Sequence, residues 1–213
     1  MKKENLDYSL YLVTDKGLSR DRSTRDIVES GIRGGVTCVQ LREKTATTRV
    51  FIQEAQALKD LLAVFNIPLI INDRLDIALA VGADGVHLGQ KDMPLAMARA
   101  IAGNRLIIGI SAESVEDAIA AELGGADYLG VSPIYATPTK IDTAPALGLK
   151  GLAEIRKVVK IPLVAIGGLN SENASAVIQS GADGVAVVSA IVAAEDPERA
   201  ARQLKKVIQK ARE

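Results

Sequence analysis

Short runs of β-branched and other apolar residues alternate with longer helix-patterned segments along almost the whole 213-residue chain. The runs are Leu10–Thr14, Cys38–Arg42, Leu69–Asn72, Gly85–Leu88, Leu106–Ile110, Tyr128–Val131, Leu163–Ile166 and Gly184–Val188. Several are apolar nearly throughout, as strands buried on both faces must be, and such strands belong to parallel sheets. Helix patterns fill the intervals: Thr24–Gly34, Thr47–Phe65, Leu75–Val81, Pro94–Ala102, Val115–Leu123, Leu149–Val159, Glu172–Gln179 and Pro197–Lys210. Ser, Thr or Asp often precedes the first turn, and Gly or Asn tends to follow the last. Eight strand–helix units in 213 residues give about 27 residues each, the length of a βα repeat in an eightfold barrel.

Weak internal repetition supports that architecture. Gly82-Ala83-Asp84-Gly85-Val86, Gly125-Ala126-Asp127-Tyr128-Leu129 and Gly181-Ala182-Asp183-Gly184-Val185 share one pattern, and Gly35-Val36-Thr37-Cys38-Val39 is a looser fourth copy. The copies begin 47, 43 and 56 residues apart, which suits every second unit of a barrel. In each, glycine is expected to end a helix in the left-handed conformation before the chain enters a strand. The longest interval contains an insertion, Ser132–Gly148, after the sixth strand. The expected fold is a single (β/α)8 TIM barrel spanning residues 1–213, with an extended loop after strand six. A doubly wound open sheet would call for a Gly-rich fingerprint after the first strand. That strand ends instead in Thr14-Asp15-Lys16-Gly17.

Composition narrows the function. Apolar residues make up 48% of the chain and charged residues 24%, which excludes a disordered polymer. Lys+Arg and Asp+Glu both total 26, so no cationic surplus points to nucleic acid or a membrane surface. A single Cys38 excludes an internal disulfide, and a single His87 excludes any two-histidine metal motif. Met1 to Asp7 lacks an apolar signal core, and the longest apolar stretch, Val185–Ala194, is about half a membrane span. A cytoplasmic protein with small-molecule partners, no nucleic acid and no membrane is expected. The oligomeric state stays open, with a homo-oligomer as one alternative.

In a parallel barrel, chemistry gathers at the carboxyl ends of the strands. Gly167-Gly168 follows strand seven, and Val188-Ser189 follows strand eight. Backbone N–H groups there would cradle a phosphate, the alternative being a tight turn and an ordinary N-cap at Ser189. In Gln40-Leu41-Arg42-Glu43-Lys44, Gln40 and Arg42 share a face and Lys44 lies just beyond the strand. Arg grips phosphate bidentately and Lys supplies a point charge, although a buried structural Arg–Glu layer is the rival account. Asp73 and Asp92 lie on neighbouring loops and suit Mg²⁺, or else cap the helices beginning at Leu75 and Pro94. Thr137-Pro138-Thr139-Lys140 offers two hydroxyls and an ammonium in a long loop. Ser111 is either a helix N-cap or a hydroxyl donor into the pocket. His87 reads as a satisfied structural histidine and Cys38 as core. The inventory lacks a Ser/His/Asp arrangement and a Cys/His pair. A phosphate cradle, an Arg/Lys cluster and two Mg²⁺ ligands suit group transfer with a diphosphate leaving group.

Taken in order, these motifs resemble the thiamine phosphate synthase family over essentially the full length. The matching pieces are Tyr11-Leu12-Val13-Thr14-Asp15, Gln40 to Lys44, Ile71-Asn72-Asp73-Arg74 and Asp84 to Gln90 with Asp92. They continue through Gly109-Ile110-Ser111, Pro133 to Lys140, Ala165-Ile166-Gly167-Gly168 and Val187 to Ile191. Ser132 and Tyr135 stand where the family pattern more often has Gly or Phe.

The resemblance implies a transferase that joins 4-amino-2-methyl-5-(diphosphooxymethyl)pyrimidine to a plain or carboxylated thiazole phosphate, releasing pyrophosphate. It implies that Gln40, Leu41, Arg42, Glu43, Lys44, Asn72, Ser111 and Lys140 hold the pyrimidine diphosphate, with Lys140, Ser111, Arg42 and Lys44 serving catalysis. It further implies Asp73 and Asp92 as Mg²⁺ ligands, and Thr137, Pro138, Thr139, Gly168, Val188 and Ser189 on the thiazole phosphate. A related thiazole tautomerase lacks the Thr-x-Thr-Lys element and uses a loop histidine. Here that element is present and the sole histidine lies elsewhere. A non-catalytic thiazole-phosphate-binding barrel is the remaining alternative.

Overall fold

The computed structural model describes residues 6–136 and 145–213. Eight parallel strands close into a barrel in chain order, each hydrogen-bonded to the next and the last to the first. They are β1 (Leu10–Val13), β2 (Cys38–Leu41), β3 (Leu69–Asn72), β4 (Gly85–Leu88), β5 (Ile107–Ala112), β6 (Tyr128–Val131), β7 (Leu163–Ile166) and β8 (Gly184–Val187). The helices are α1 (Thr24–Arg33), α2 (Thr48–Val64), α3 (Leu75–Val81), α4 (Leu95–Ala102), α5 (Val115–Leu123), α6 (Gly148–Val158), α7 (Ala174–Gln179), α8 (Ser189–Val192) and α9 (Pro197–Ala211). A 3₁₀ turn, Lys16–Leu18, follows β1. Among the described residues, no helix is long and apolar enough to cross a membrane.

Period-two alternation divides the strand side chains into two cores. Leu10, Leu12, Val39, Leu41, Leu69, Ile71, Val86 and Leu88 face outward and pack with the helices. Tyr11, Val13, Cys38, Ile70, Ile107, Tyr128, Val164 and Ala186 fill the barrel interior. Both sets are buried, which is why the strands read as continuous apolar runs in the sequence.

The four-copy repeat has a physical role that its sequence pattern did not disclose. Asp84, Asp127 and Asp183 each accept, through Oδ2, the backbone N–H of Leu69, Ile108 and Leu163, at 2.9, 2.7 and 2.8 Å. In the looser copy, Thr37 Oγ1 accepts from Leu10 N at 3.1 Å. The repeat therefore clasps the amino ends of β1, β3, β5 and β7 to the strands that follow them. The preceding glycines adopt the expected left-handed backbone, with φ of 101°, 61°, 84° and 104° at Gly35, Gly82, Gly125 and Gly181.

The connection from β6 to α6 runs from 132 to 147. Its described ends are tied down: Ile134 and Tyr135 donate to the carbonyls of Ile166 and Gly167, and Leu147 donates to Pro133. Residues Thr137, Pro138, Thr139 and Lys140 lie outside the described residues.

Candidate active site

The carboxyl ends of β1 to β5 bring together most of the predicted polar residues. Gln40 is buried on the inner face of β2. Two residues on, Arg42 continues the same face just past the strand. Its backbone N–H is accepted by Thr14 Oγ1 at 3.0 Å, and its guanidinium donates to Asp15 Oδ2 at 2.6 Å. Asp15 thus aims the arginine, a role no local pattern announced. Leu41 faces the outer core, so only its backbone reaches the barrel mouth. Glu43 is half-buried and accepts the Lys44 N–H at 3.1 Å. The Lys44 ammonium lies 2.5 Å from Asp73 Oδ2.

Both aspartates depart from the helix-cap alternative. The residue preceding α3 is Arg74 and the one preceding α4 is Pro94, and neither helix has a side-chain cap. Asp73 instead has a left-handed backbone (φ 62°), a conformation that Asp tolerates better than most residues. Its backbone N–H donates to the His87 carbonyl at 2.8 Å, pinning the turn to the end of β4. Asp92 curls back so that Oδ2 accepts the Gly89 N–H at 2.7 Å. The two carboxyl groups meet there. Partial burial pushes Asp92 above the usual carboxylate range, and the neighbouring Asp73 carboxyl pushes it further; the Gly89 N–H and the Lys44 charge oppose this.

Two adjacent carboxylates held apart from other protein ligands fit Mg²⁺. That ion prefers oxygen ligands and is commonly held by one or two carboxylates plus phosphate oxygens and water. Among the described residues no group of three His, Cys, Asp or Glu side chains could hold a metal by itself. The remaining ligands would therefore come from a bound phosphate and solvent. The Lys44 ammonium already sits where the carboxylates demand positive charge.

Ser111 lies inside β5, which extends two residues beyond its expected end at Ile110. It is therefore not the N-cap of α5, a position taken by Ser114, whose side chain accepts from Asp117 N. Ser111 Oγ lies 3.0 Å from His87 Nε2. Its carbonyl accepts from Gln90 Nε2 at 2.5 Å. Asn72 ends β3 in register with His87, half-buried at the same rim.

Across the mouth, Gly167 and Gly168 follow β7, and Val188 and Ser189 follow its paired neighbour β8. Both glycines have positive φ, 106° and 65°. A Cβ on Gly168 would stand 2.9 Å from the Ala136 carbonyl oxygen, so the close approach of the β6–α6 connection requires glycine there. Ser189 is the first residue of the short α8 rather than its N-cap, which is Val188. The first N–H groups of such a helix have no intrahelical partner and point outward. Paired glycine and helix-start N–H groups after strands seven and eight form the recurrent phosphate cradle of this architecture.

The sequence reading missed Asp15 as the partner of Arg42. It also missed the interior tyrosines Tyr11 and Tyr128, whose hydroxyls lie 2.9 Å apart. Alternation placed both rings inward, but nothing local indicated that they would bond to each other and, through Tyr128, to His87.

Comparison with known proteins places the chain in a family. A family profile described as "Thiamine monophosphate synthase" matches residues 10–191. A protein of Chloroflexus aurantiacus named thiamine-phosphate synthase is 57% identical over 203 residues, covering 95% of this chain and 94% of the relative. One of Syntrophomonas wolfei with the same name is 54% identical, covering 95% and 97%. The solved thiamine phosphate pyrophosphorylase of Pyrococcus furiosus superposes with a TM-score of 0.90 at 41% identity, over 97% of this chain and 98% of that one. With the barrel topology, the profile match and these relatives in agreement over nearly the full length, the chain belongs to the thiamine monophosphate synthase family.

Proposed function

We propose that this chain condenses the pyrimidine diphosphate with thiazole phosphate, plain or carboxylated, to give thiamine monophosphate and pyrophosphate, with release of CO₂ when the thiazole is carboxylated. Family membership supports the transferase activity. The single observation that carries the site reading is the convergence of Arg42, Lys44, Asp73 and Asp92 on one sector of the barrel mouth.

The residues divide the work by charge. Arg42, held by Asp15, and Lys44 present fixed positive charge to the diphosphate, with Gln40, Asn72 and Ser111 as hydrogen-bonding neighbours. Asp73 and Asp92 would hold Mg²⁺, whose charge, when bound, stabilises the departing diphosphate. Gly168, Val188 and Ser189 hold the thiazole phosphate. Lys140 joins the diphosphate side and Thr137, Pro138 and Thr139 the thiazole side, assignments that rest on the family pattern.

No protein nucleophile is required. The C–O bond to diphosphate breaks, and the electron pair leaves with pyrophosphate. The resulting pyrimidine methyl cation is stabilised by its own ring, and the thiazole nitrogen then attacks it. The protein's part is to neutralise the leaving group and hold the two rings together.

The test is a thiochrome assay with protein, Mg²⁺ and both substrates. Fluorescent product that requires both substrates and disappears with EDTA is expected. Thiazole phosphate binding without product would overturn the synthase reading in favour of a tautomerase or a binding barrel.

A further inference from the structure

A chain of hydrogen bonds crosses the barrel interior and ends at Ser111. Gln40 Nε2 donates to the Tyr11 hydroxyl at 3.0 Å, and that hydroxyl lies 2.9 Å from the Tyr128 hydroxyl. Tyr128 Oη lies 2.9 Å from His87 Nδ1, and His87 Nε2 lies 3.0 Å from Ser111 Oγ. The five residues come from β2, β1, β6, β4 and β5. Three of them, Gln40, Tyr11 and Tyr128, are buried.

The space is cut for this arrangement by two glycines. A Cβ on Gly109 would fall 2.1 Å from Tyr128 Cζ, and one on Gly130 would fall 2.7 Å from His87 Cε1. Both lie in register with the chain, Gly109 beside Tyr128 and His87, and Gly130 beside Ser111. No other residue type leaves room for the tyrosine and imidazole rings to meet inside the barrel.

Direction follows from the first link. The amide nitrogen of Gln40 can only donate, so the Tyr11 oxygen accepts; its own proton has two acceptors in reach, the Tyr128 oxygen and the Cys38 sulfur, and the oxygen is the stronger. Tyr128 in turn donates to Nδ1. Burial drives both phenols far above their ordinary range, so neither gives up its proton. A His87 that accepts at Nδ1 carries its proton on Nε2 and donates it to Ser111 Oγ. The serine proton is then left to point into the mouth.

We infer that Tyr11 and Tyr128 are positioning residues that hold His87 in its Nε2–H tautomer, so that Ser111 is presented as a hydrogen-bond donor to the anionic diphosphate. This rests on the proposed function for the identity of the anion, but the tautomer does not depend on it.

The sole histidine makes the test direct. In the full-length protein labelled with ¹⁵N-histidine, long-range ¹H–¹⁵N correlation reports which ring nitrogen is protonated. The Nε2–H form is expected in the wild type. An Nδ1–H form, or an imidazolium at neutral pH, would overturn the inference, whether or not the protein turns over. In Tyr128→Phe the single tautomer is expected to give way to a mixture. The KM for the pyrimidine diphosphate should rise about ten-fold, the value of one hydrogen bond. The KM for thiazole phosphate should hold. In a Ser111→Ala background the Tyr128→Phe effect should vanish; a full additional loss there would mean a merely structural role and would overturn the inference. Tyr8→Phe is the control. Its ring packs 4.8 Å from that of Tyr128, but its hydroxyl is no link in the chain. Loss of the Nε2–H tautomer in Tyr8→Phe would likewise overturn it.

Discussion

The Nζ of Lys44 lies 2.5 Å from Oδ2 of Asp73, joining the cation cluster after β2 to the carboxylate pair after β3 and β4. The contact is half-exposed, so its own contribution to stability is small. Its significance is electrostatic. Asp92, raised by burial and by Asp73, needs positive charge nearby, and Lys44 supplies part of it. We expect Asp73→Asn and Asp92→Asn each to raise the Mg²⁺ concentration for half-maximal activity by at least about ten-fold, the effect of losing even an outer-shell partner. Mg²⁺ titration of the initial rate is the measurement. Wild-type titration curves in both variants would remove the aspartates from the metal site.

Arg42 depends on geometry as well as charge. Its guanidinium is clamped by Asp15 at 2.6 Å while Thr14 holds its backbone. Arg42→Ala should lower kcat/KM by about 10²–10³, as loss of a transition-state donor does. Arg42→Lys should recover little of it, because an ammonium cannot reproduce a planar fork. Asp15→Asn should raise the KM for the pyrimidine diphosphate and leave that for thiazole phosphate unchanged. Steady-state kinetics with each substrate varied in turn decides all three.

The repeated clasp predicts a purely structural effect. Asp84→Ala leaves the Leu69 N–H without its side-chain acceptor, at an expected cost of about 1–3 kcal/mol. Thr37→Val should cost less, because the neutral hydroxyl is the weaker acceptor of the Leu10 N–H. Both clasps lie at the amino ends of the strands, away from the mouth, so kcat and KM should hold. Urea unfolding should show a lower midpoint with an unchanged slope.

Acid sensitivity has one identifiable source on α5. Glu122 Oε1 accepts the backbone N–H groups of Lys160 at 2.6 Å and Ile161 at 3.0 Å. The Lys160 bond, aided by that from Ile161, holds the carboxyl below its ordinary value of 4.5. A carboxyl depressed in the folded state adds stability above its unfolded value and loses it as pH falls through the folded one. The difference in Tm between wild type and Glu122→Gln should therefore be constant above pH 4.5 and shrink below it. A difference that stays constant into acid would refute the assignment.

Strand and helix positions were legible in the sequence because alternation and helical periodicity are local. Seven of the eight expected strands end within one residue of, or coincide with, the positions observed, at β1, β2, β3, β4, β6, β7 and β8. The fifth was read too short, because Ser111 looked like a cap and only its neighbours in the sheet make it a strand residue. The candidate site was legible for the same local reason: its residues follow strand ends, and in a parallel barrel strand ends share one face.

What the sequence by itself determined is therefore the barrel, the order of its strands and the set of polar residues at its mouth, all consequences of period and position. Only the tertiary structure decided the partners. Asp15 reaches Arg42 across 27 positions, Lys44 reaches Asp73 across 29, and Tyr11 reaches Tyr128 across 117. Such pairs are made by the closure of the barrel, which brings β1 and β6 onto one interior. A hydrogen bond depends on distances of a few ångströms that no periodicity along the chain encodes.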